Sequence, residues 1–202
     1  DALPISMYNK SNSKLIKFQN SGMKRRKRMF KVKEIRTGLE EVANNEKCSI
    51  IKMTNKKGKE INIIVTNENI EDIIHEAFEL RGAPWIKSAC PKEKEWKCPT
   101  KSKGEHVVNN GALILVDFKN ESYTLNKNKV LKGIAALIEQ EELEDCLRVF
   151  RADEIFYYKD STSETKPKEK ASIHLITDDF YDTDFVTDKI IQYGIFGKLV
   201  FG

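Results

Sequence analysis

The sequence predicts an α+β fold: an antiparallel sheet of about four to six strands with two or three helices packed on one face. Three observations carry this. Residues 49–54 and 60–65 are β-branched runs separated by Asn55-Lys56-Lys57-Gly58, which is turn chemistry. Residues 112–118, an apolar run, and 121–125 read as a second hairpin around Lys119-Asn120. Each pair is followed by apolar residues at helical spacing, Ile70, Ile73, Ile74, Ala77 after the first and Val130, Leu131, Ile134, Leu137 after the second. With 202 residues, 40% hydrophobic and 33% charged, the chain can build one domain with a real core and a wet surface.

Taken in order, the elements begin with a segment outside the fold. Asp1-Ala2-Leu3-Pro4-Ile5-Ser6 resembles a translated sequencing adapter. The natural start is then Met7, Met23 or Met29. Residues 1–28 hold eight of the 35 basic side chains and one of the 31 acidic ones, which leaves 27 basic against 30 acidic, a net of −3. A basic arm, expected to be disordered or a frayed helix, thus precedes a mildly acidic domain over 29–202. The pI of the whole chain is therefore no argument for nucleic-acid binding. Residues 31–44 fit either a short amphipathic helix or a strand with a turn.

The first hairpin leads into a helix of roughly four turns. Asn67 is the expected N-cap, Glu68, Glu71 and Asp72 suit its dipole, and Gly82 is its expected stop. Residues 83–104 read as a connection. Residues 112–118 are the most apolar run and read as a central strand. Asn126 is the expected cap of the second helix, which 141–150 extends or restarts. Residues 153–177 read as a mobile insertion, strand-like at 155–158 and 172–176, with a polar loop between. Ile190, Ile191, Tyr193, Ile195 and Phe196 predict a buried helix ending near Gly197.

Totals and motifs narrow the function classes. No apolar run approaches the ~20 residues that span a bilayer. Cys48, Cys90, Cys98 and Cys146 make no C-x-x-C and read as reduced thiols of a cytosolic protein. The sequence has no G-x-G-x-x-G, Walker loop or G-x-S-x-G. Neither His75-Glu76 nor Cys90-Pro91 matches a zinc deaminase. Cys90, Cys98 and His106, with Cys48, contain zinc-ligand chemistry, but their spacing is wrong for a knuckle and ordinary loop cysteines explain them better. A Cys–His nucleophile using His75, His106 or His174 is open to chance pairing, and His75 reads as a surface residue of the first helix. No catalytic residue, cofactor or metal is assigned.

The candidate binding residues fall into three groups. Trp85, Glu105 and Gly111 flank the central strand and could line a pocket where the indole stacks on a base; the plainer reading makes Trp85 a core aromatic and Gly111 a turn residue. Asp178, Asp179, Asp182 and Asp184, with Asp188, crowd the start of the last helix. Helix capping explains them without Mg²⁺, and a clustered acidic face can also mimic phosphates in a nuclease groove. Lys24, Arg25 and Arg26 belong to the basic arm, a phosphate-binding run or a solvated tail.

Two stretches and the end of the sequence resemble a family of uncharacterised small accessory proteins of phages and mobile elements of gut-type bacteria. They are Asn69-Ile70-Glu71-Asp72-Ile73-Ile74 through Ala77, Gly82 and Trp85; then Gly104-Glu105, Gly111 to Leu115, Tyr123-Thr124-Leu125 and Leu131-Lys132-Gly133-Ile134; then Asp188 and 190–202. Members commonly finish in a QYALFGE-like tail. The resemblance covers roughly 60–202 without 153–177. Where the family has an aromatic followed by Trp and Cys, this chain has Pro84-Trp85-Ile86. The resemblance implies the genomic context of a mobile element rather than a reaction. With the absence of a catalytic constellation and the reduced cysteines, the expectation is a cytoplasmic, non-catalytic binding protein that inhibits a host defence protein, with an anti-CRISPR-type nuclease inhibitor leading. Two other readings stand beside it: a nucleic-acid-binding accessory protein using the basic arm for DNA or RNA, and a sponge for a nucleotide second messenger.

Overall fold

The computed structural model describes residues 30–41, 47–55, 58, 60–80, 82–92, 102–140, 142–143, 146–149, 158–159, 172–177 and 186–202. The strands are β1 (Phe30–Glu41), β2 (Lys47–Asn55), β3 (Glu60–Thr66), β4 (Ile86–Pro91), β5 (Ala112–Asp117), β6 (Ser122–Asn126), β7 (Leu147–Val149), β8 (Tyr158–Lys159) and β9 (Ser172–Leu175). The helices are α1 (Asn67–Phe78), α2 (Lys103–Val108), α3 (Lys127–Glu139) and α4 (Val186–Phe196).

The α+β class is borne out, with the strands divided between two sheets. The larger has the order β7-β9-β3-β2-β1-β8, the smaller β4-β5-β6. Both expected hairpins form. Ile51 faces Ile63 and Met53 faces Ile61 across β2 and β3; Leu113 faces Leu125 and Leu115 faces Tyr123 across β5 and β6. Of the ambiguous stretch 31–44, residues 31–41 are strand and 42–44 lie outside the described residues: β1 pairs antiparallel with β2 and carries irregularities between Val32 and Glu34 and between Arg36 and Leu39. Gly38, at φ +76°, lies within the second.

The period of two divides the apolar side chains of the larger sheet. Ile51, Met53, Ile63 and Val65 point to one face and join the buried residues of the helices. Cys48, Ile50 and Ile64 point to the other and cluster with Leu39. The inner face of the smaller sheet, with Leu113, Leu115 and Leu125, shares the main core. Of the helices, α1 and α3 lie against that face of the larger sheet, while α2 packs on α1 and α4 on α3 and α1, both also touching the smaller sheet.

Helix ends follow local chemistry. The α1 cap is Thr66, one residue before the expected Asn67. Its hydroxyl accepts from Asn69 N at 3.1 Å while Asn69 Oδ1 accepts from Thr66 N at 3.0 Å, a reciprocal capping box. The helix ends at Phe78, before the expected stop at Gly82. Asn126 caps α3 as expected, accepting from Lys129 N at 3.1 Å. Gly197, at φ +68°, follows α4.

Three expectations need correction. The 83–104 connection contains β4 and the short helix α2, capped by Ser102. Residues 147–149 are strand and do not continue α3. Residues 172–175 are strand as expected, but belong to the larger sheet: β9 sits between β7 and β3, antiparallel to the first and parallel to the second, and buries Ile173 and Leu175. The middle of the supposed insertion, 160–171, lies outside the described residues, as does 150–157.

The helices α3 and α4 cross on glycines. A methyl group at Gly133 would stand 2.8 Å from the carbonyl carbon of Ile190 and 3.1 Å from its Cα. One at Gly194 would stand 2.9 Å from the carbonyl carbon of Lys129. Each helix therefore lays its backbone directly on the glycine of the other.

Candidate functional site

Trp85 sits just before β4 and is buried. Its ring stacks on Phe201 with centroids 4.4 Å apart and planes 7° apart. Phe196 and Tyr123 close the cluster at 5.7 Å and 6.0 Å. The indole Nε1 donates to Asp188 Oδ1 at 2.5 Å. Asp188 is in the first turn of α4, where the helix dipole suits a carboxylate, yet burial pushes its carboxyl above the usual range against the opposing hydrogen bonds from Trp85 and Gln192.

Gln192 completes this arrangement. It is 1% exposed, so each polar atom of its amide needs a partner. Its Oε1 accepts from Val200 N at 2.7 Å and Phe201 N at 2.8 Å. Its Nε2 donates to Asp188 Oδ2 at 2.8 Å and to Phe201 O at 2.9 Å. The plainer reading of Trp85 therefore matches its surroundings: the stacking face proposed for a base is occupied by Phe201.

Glu105 and Gly111 do not meet Trp85 there. Gly111 packs on the ring of His106, whose Nε2 lies 3.3 Å from Ala112 O. Glu105 is in the first turn of α2, its amide capped by Ser102 Oγ at 2.9 Å. The helix α2 lies close on α1 because Gly104 faces the backbone of Glu71, where a methyl would come within 2.8 Å of Cα. This contact brings Glu105 into an acidic face with Glu68, Glu71 and Asp72. Burial first, then the charges of Glu105, Asp72 and Glu68, push the Glu71 carboxyl upward. Asp72 is partly engaged, its Oδ2 accepting from Thr177 Oγ1 at 2.7 Å.

A separate groove of about 530 Å³ runs between the end of α1, β4 and the β5–β6 turn. Ala77, Ala83, Ile86 and Ala89 give it an apolar lining; Lys87 and Lys103 bring charge and Phe118 a ring. Phe118 is 69% exposed. Lys87 Nζ donates to Asn120 Oδ1 at 3.0 Å, and Lys103 lies 3.8 Å from Glu79.

Asp178, Asp179, Asp182, Asp184, Lys24, Arg25 and Arg26 lie outside the described residues, as does Cys98. Cys48 is buried and Cys90 exposed. Among the described residues no group of three or more His, Cys, Asp or Glu side chains is placed to hold a metal ion. His75 is exposed and pairs with Glu79 at 2.9 Å. Among the described residues no helix is long and apolar enough to cross a membrane.

Sequence reasoning missed the role of Gln192, although a signal was present. An amide inside the run Ile190-Ile191-Gln192 must be buried with the stripe and needs polar partners. It also missed Phe201 as the partner of Trp85, since nothing local links two residues so far apart. No protein-family model, curated protein or solved structure matches the chain.

Proposed function

We propose that the protein is a non-catalytic inhibitor that binds a host defence protein of a bacterium, with a CRISPR-type nuclease as the leading target class. The observation that carries this reading is the acidic face shared by α1 and α2. Glu71 lies among Glu68, Asp72 and Glu105, and its carboxyl is pushed up by burial first and then by their like charges. A basic partner surface relieves that repulsion on binding, and the field of such a face steers a basic groove towards it. The resemblance of Asp188 and 190–202 to the tails of phage and mobile-element accessory proteins supports the host-defence context.

The test is capture of partners from bacterial lysates expressing a panel of defence nucleases, using the protein and its Glu71→Lys, Glu105→Lys double variant. One nuclease is expected to be retained, to lose activity when bound, and to be released by raised salt. The folded double variant is expected to retain it at least about tenfold more weakly. Retention of that nuclease by the double variant at full strength refutes the acidic-face reading. Capture of no nuclease, with DNA, RNA or a nucleotide bound instead, refutes the inhibitor reading.

A further inference from the structure

The segment that follows α4 is held through its backbone and one aromatic ring. One buried amide, Gln192, accepts from two successive backbone N–H groups, those of Val200 and Phe201, and donates to the Phe201 carbonyl. Asp188 orients that amide through Nε2, and Trp85 in turn donates to Asp188. Trp85 then presents a flat ring to the one side chain of the segment that packs inward, Phe201. The rest of the segment contributes little side-chain burial: Leu199 is 43% exposed and Val200 49%. Gly197, with a left-handed φ and its N–H on Tyr193 O at 2.9 Å, ends α4 and turns the chain into the segment.

These contacts read a backbone and an aromatic ring, and none of them depends on the side chains of residues 198–200. We propose that the Trp85–Asp188–Gln192 pocket is a peptide-binding site whose resident ligand is residues 198–202 of the same chain. Its ligand in trans is an extended peptide with an aromatic side chain. When the resident segment lifts, water reaches the Gln192 amide and the Asp188 carboxyl, so opening strands no buried polar group. Tethering keeps the resident segment at a high effective concentration, on the order of millimolar for a short linker. The intact protein therefore binds an external peptide with an affinity reduced by the fraction of open pocket.

The probe is a fluorescent, end-blocked pentapeptide with the sequence of residues 198–202, followed by anisotropy against the full chain. Phe201→Ala weakens the resident ligand and leaves the pocket side chains in place. It is expected to bind the probe at least about tenfold more tightly than the unaltered protein. Adding Gln192→Ala is expected to abolish that gain, and a probe with its aromatic residue replaced by alanine is expected not to bind. A folded Phe201→Ala variant that binds no better than the unaltered protein overturns the proposal. Should that variant fail to fold, hydrogen exchange of the unaltered protein decides. The amide of Phe201 is expected to exchange at least about a hundredfold faster than that of Ile191 in α4, through local opening of the segment. Equal protection at the two amides overturns the proposal.

Discussion

Replacing Gly133 with alanine tests the crossing of α3 and α4, because two effects of opposite sign compete there. In an exposed helix the substitution stabilises by about 1 kcal/mol, since alanine loses less backbone entropy and is the best helix former. At Gly133 the new methyl would lie 2.8 Å from the carbonyl carbon of Ile190. Carbon atoms pack at about 3.5–4.0 Å and the carbonyl oxygen of Ile190 lies nearer still, so the α4 backbone must retreat by about 1 Å or more. The obstacle is main chain, and no rotamer change relieves it. Ile190 and Ile191, both wholly buried, move with it. Overpacking of this kind costs about 1–3 kcal/mol, and a forced helix shift belongs at the upper end. The net expectation is a loss of about 1–2 kcal/mol, or roughly 2–8 °C in Tm for a domain of this size. Urea unfolding followed by circular dichroism measures it. Gly194→Ala meets Lys129 from the other side of the same crossing, so the double variant should lose less than the sum of the singles. A Gly133→Ala protein as stable as the original, or more stable, would refute the close-crossing argument.

Two further perturbations follow from the same structure. Trp85→Phe keeps a ring against Phe201 but removes the donor to Asp188, leaving a buried carboxyl short of a partner. Chemical denaturation should show a loss of about 1–3 kcal/mol, and a change within the error of the measurement would show that bond to be dispensable. Burial of His174 lowers its pKa from 6.5 to about 4. Its neutral form is favoured by folding, so the unfolded chain binds the extra proton between those values. The contribution is complete above pH 6.5 and is lost as pH falls towards 4. The drop sets a ceiling of about 3 kcal/mol, which solvent at a half-buried ring reduces to roughly 1–2 kcal/mol. Burial-raised Glu71, Glu76 and Asp188 act in the opposite sense, favouring the fold at low pH and losing that contribution as pH rises through their folded values. Comparing stability from pH 7 to 4.5 with a folded His174→Gln variant isolates the imidazole, and identical slopes would exclude it as the source.

Elements set by near neighbours were legible before the fold was known. The first hairpin follows from β-branched runs around Gly58, the second from an apolar run turned at Lys119-Asn120, and Asn126 announces the start of α3 because its cap lies within three residues. Thr66 was displaced by one position because two side chains, those of Thr66 and Asn69, share the capping box. The strand β4 was hidden by its place at an edge: Lys87, Ser88 and Cys90 are exposed, so no apolar alternation marks it. The strand β9 was recognised as strand-like but misplaced, because a parallel partner a hundred residues away leaves no local trace. The candidate site divides in the same way. Glu105 was legible as a polar residue of interest, but its acidic neighbours come from α1 through the close contact at Gly104. Trp85 was legible as a buried aromatic, whereas the ring that covers it comes from beyond α4.

The position of β9 also has a consequence for how the chain is made. The inner strand β3 ends at Thr66, and the strand that pairs with it on one side starts at Ser172. During synthesis at about 5–20 residues per second, β3 emerges roughly 5–20 s before β9 can reach it. For that interval the hairpin of β2 and β3 presents an open row of peptide groups flanked by Ile63 and Ile64. Such an edge is a template for pairing with another nascent chain. The yield of soluble protein should therefore depend on what shelters that edge on the ribosome, independently of the stability of the finished fold.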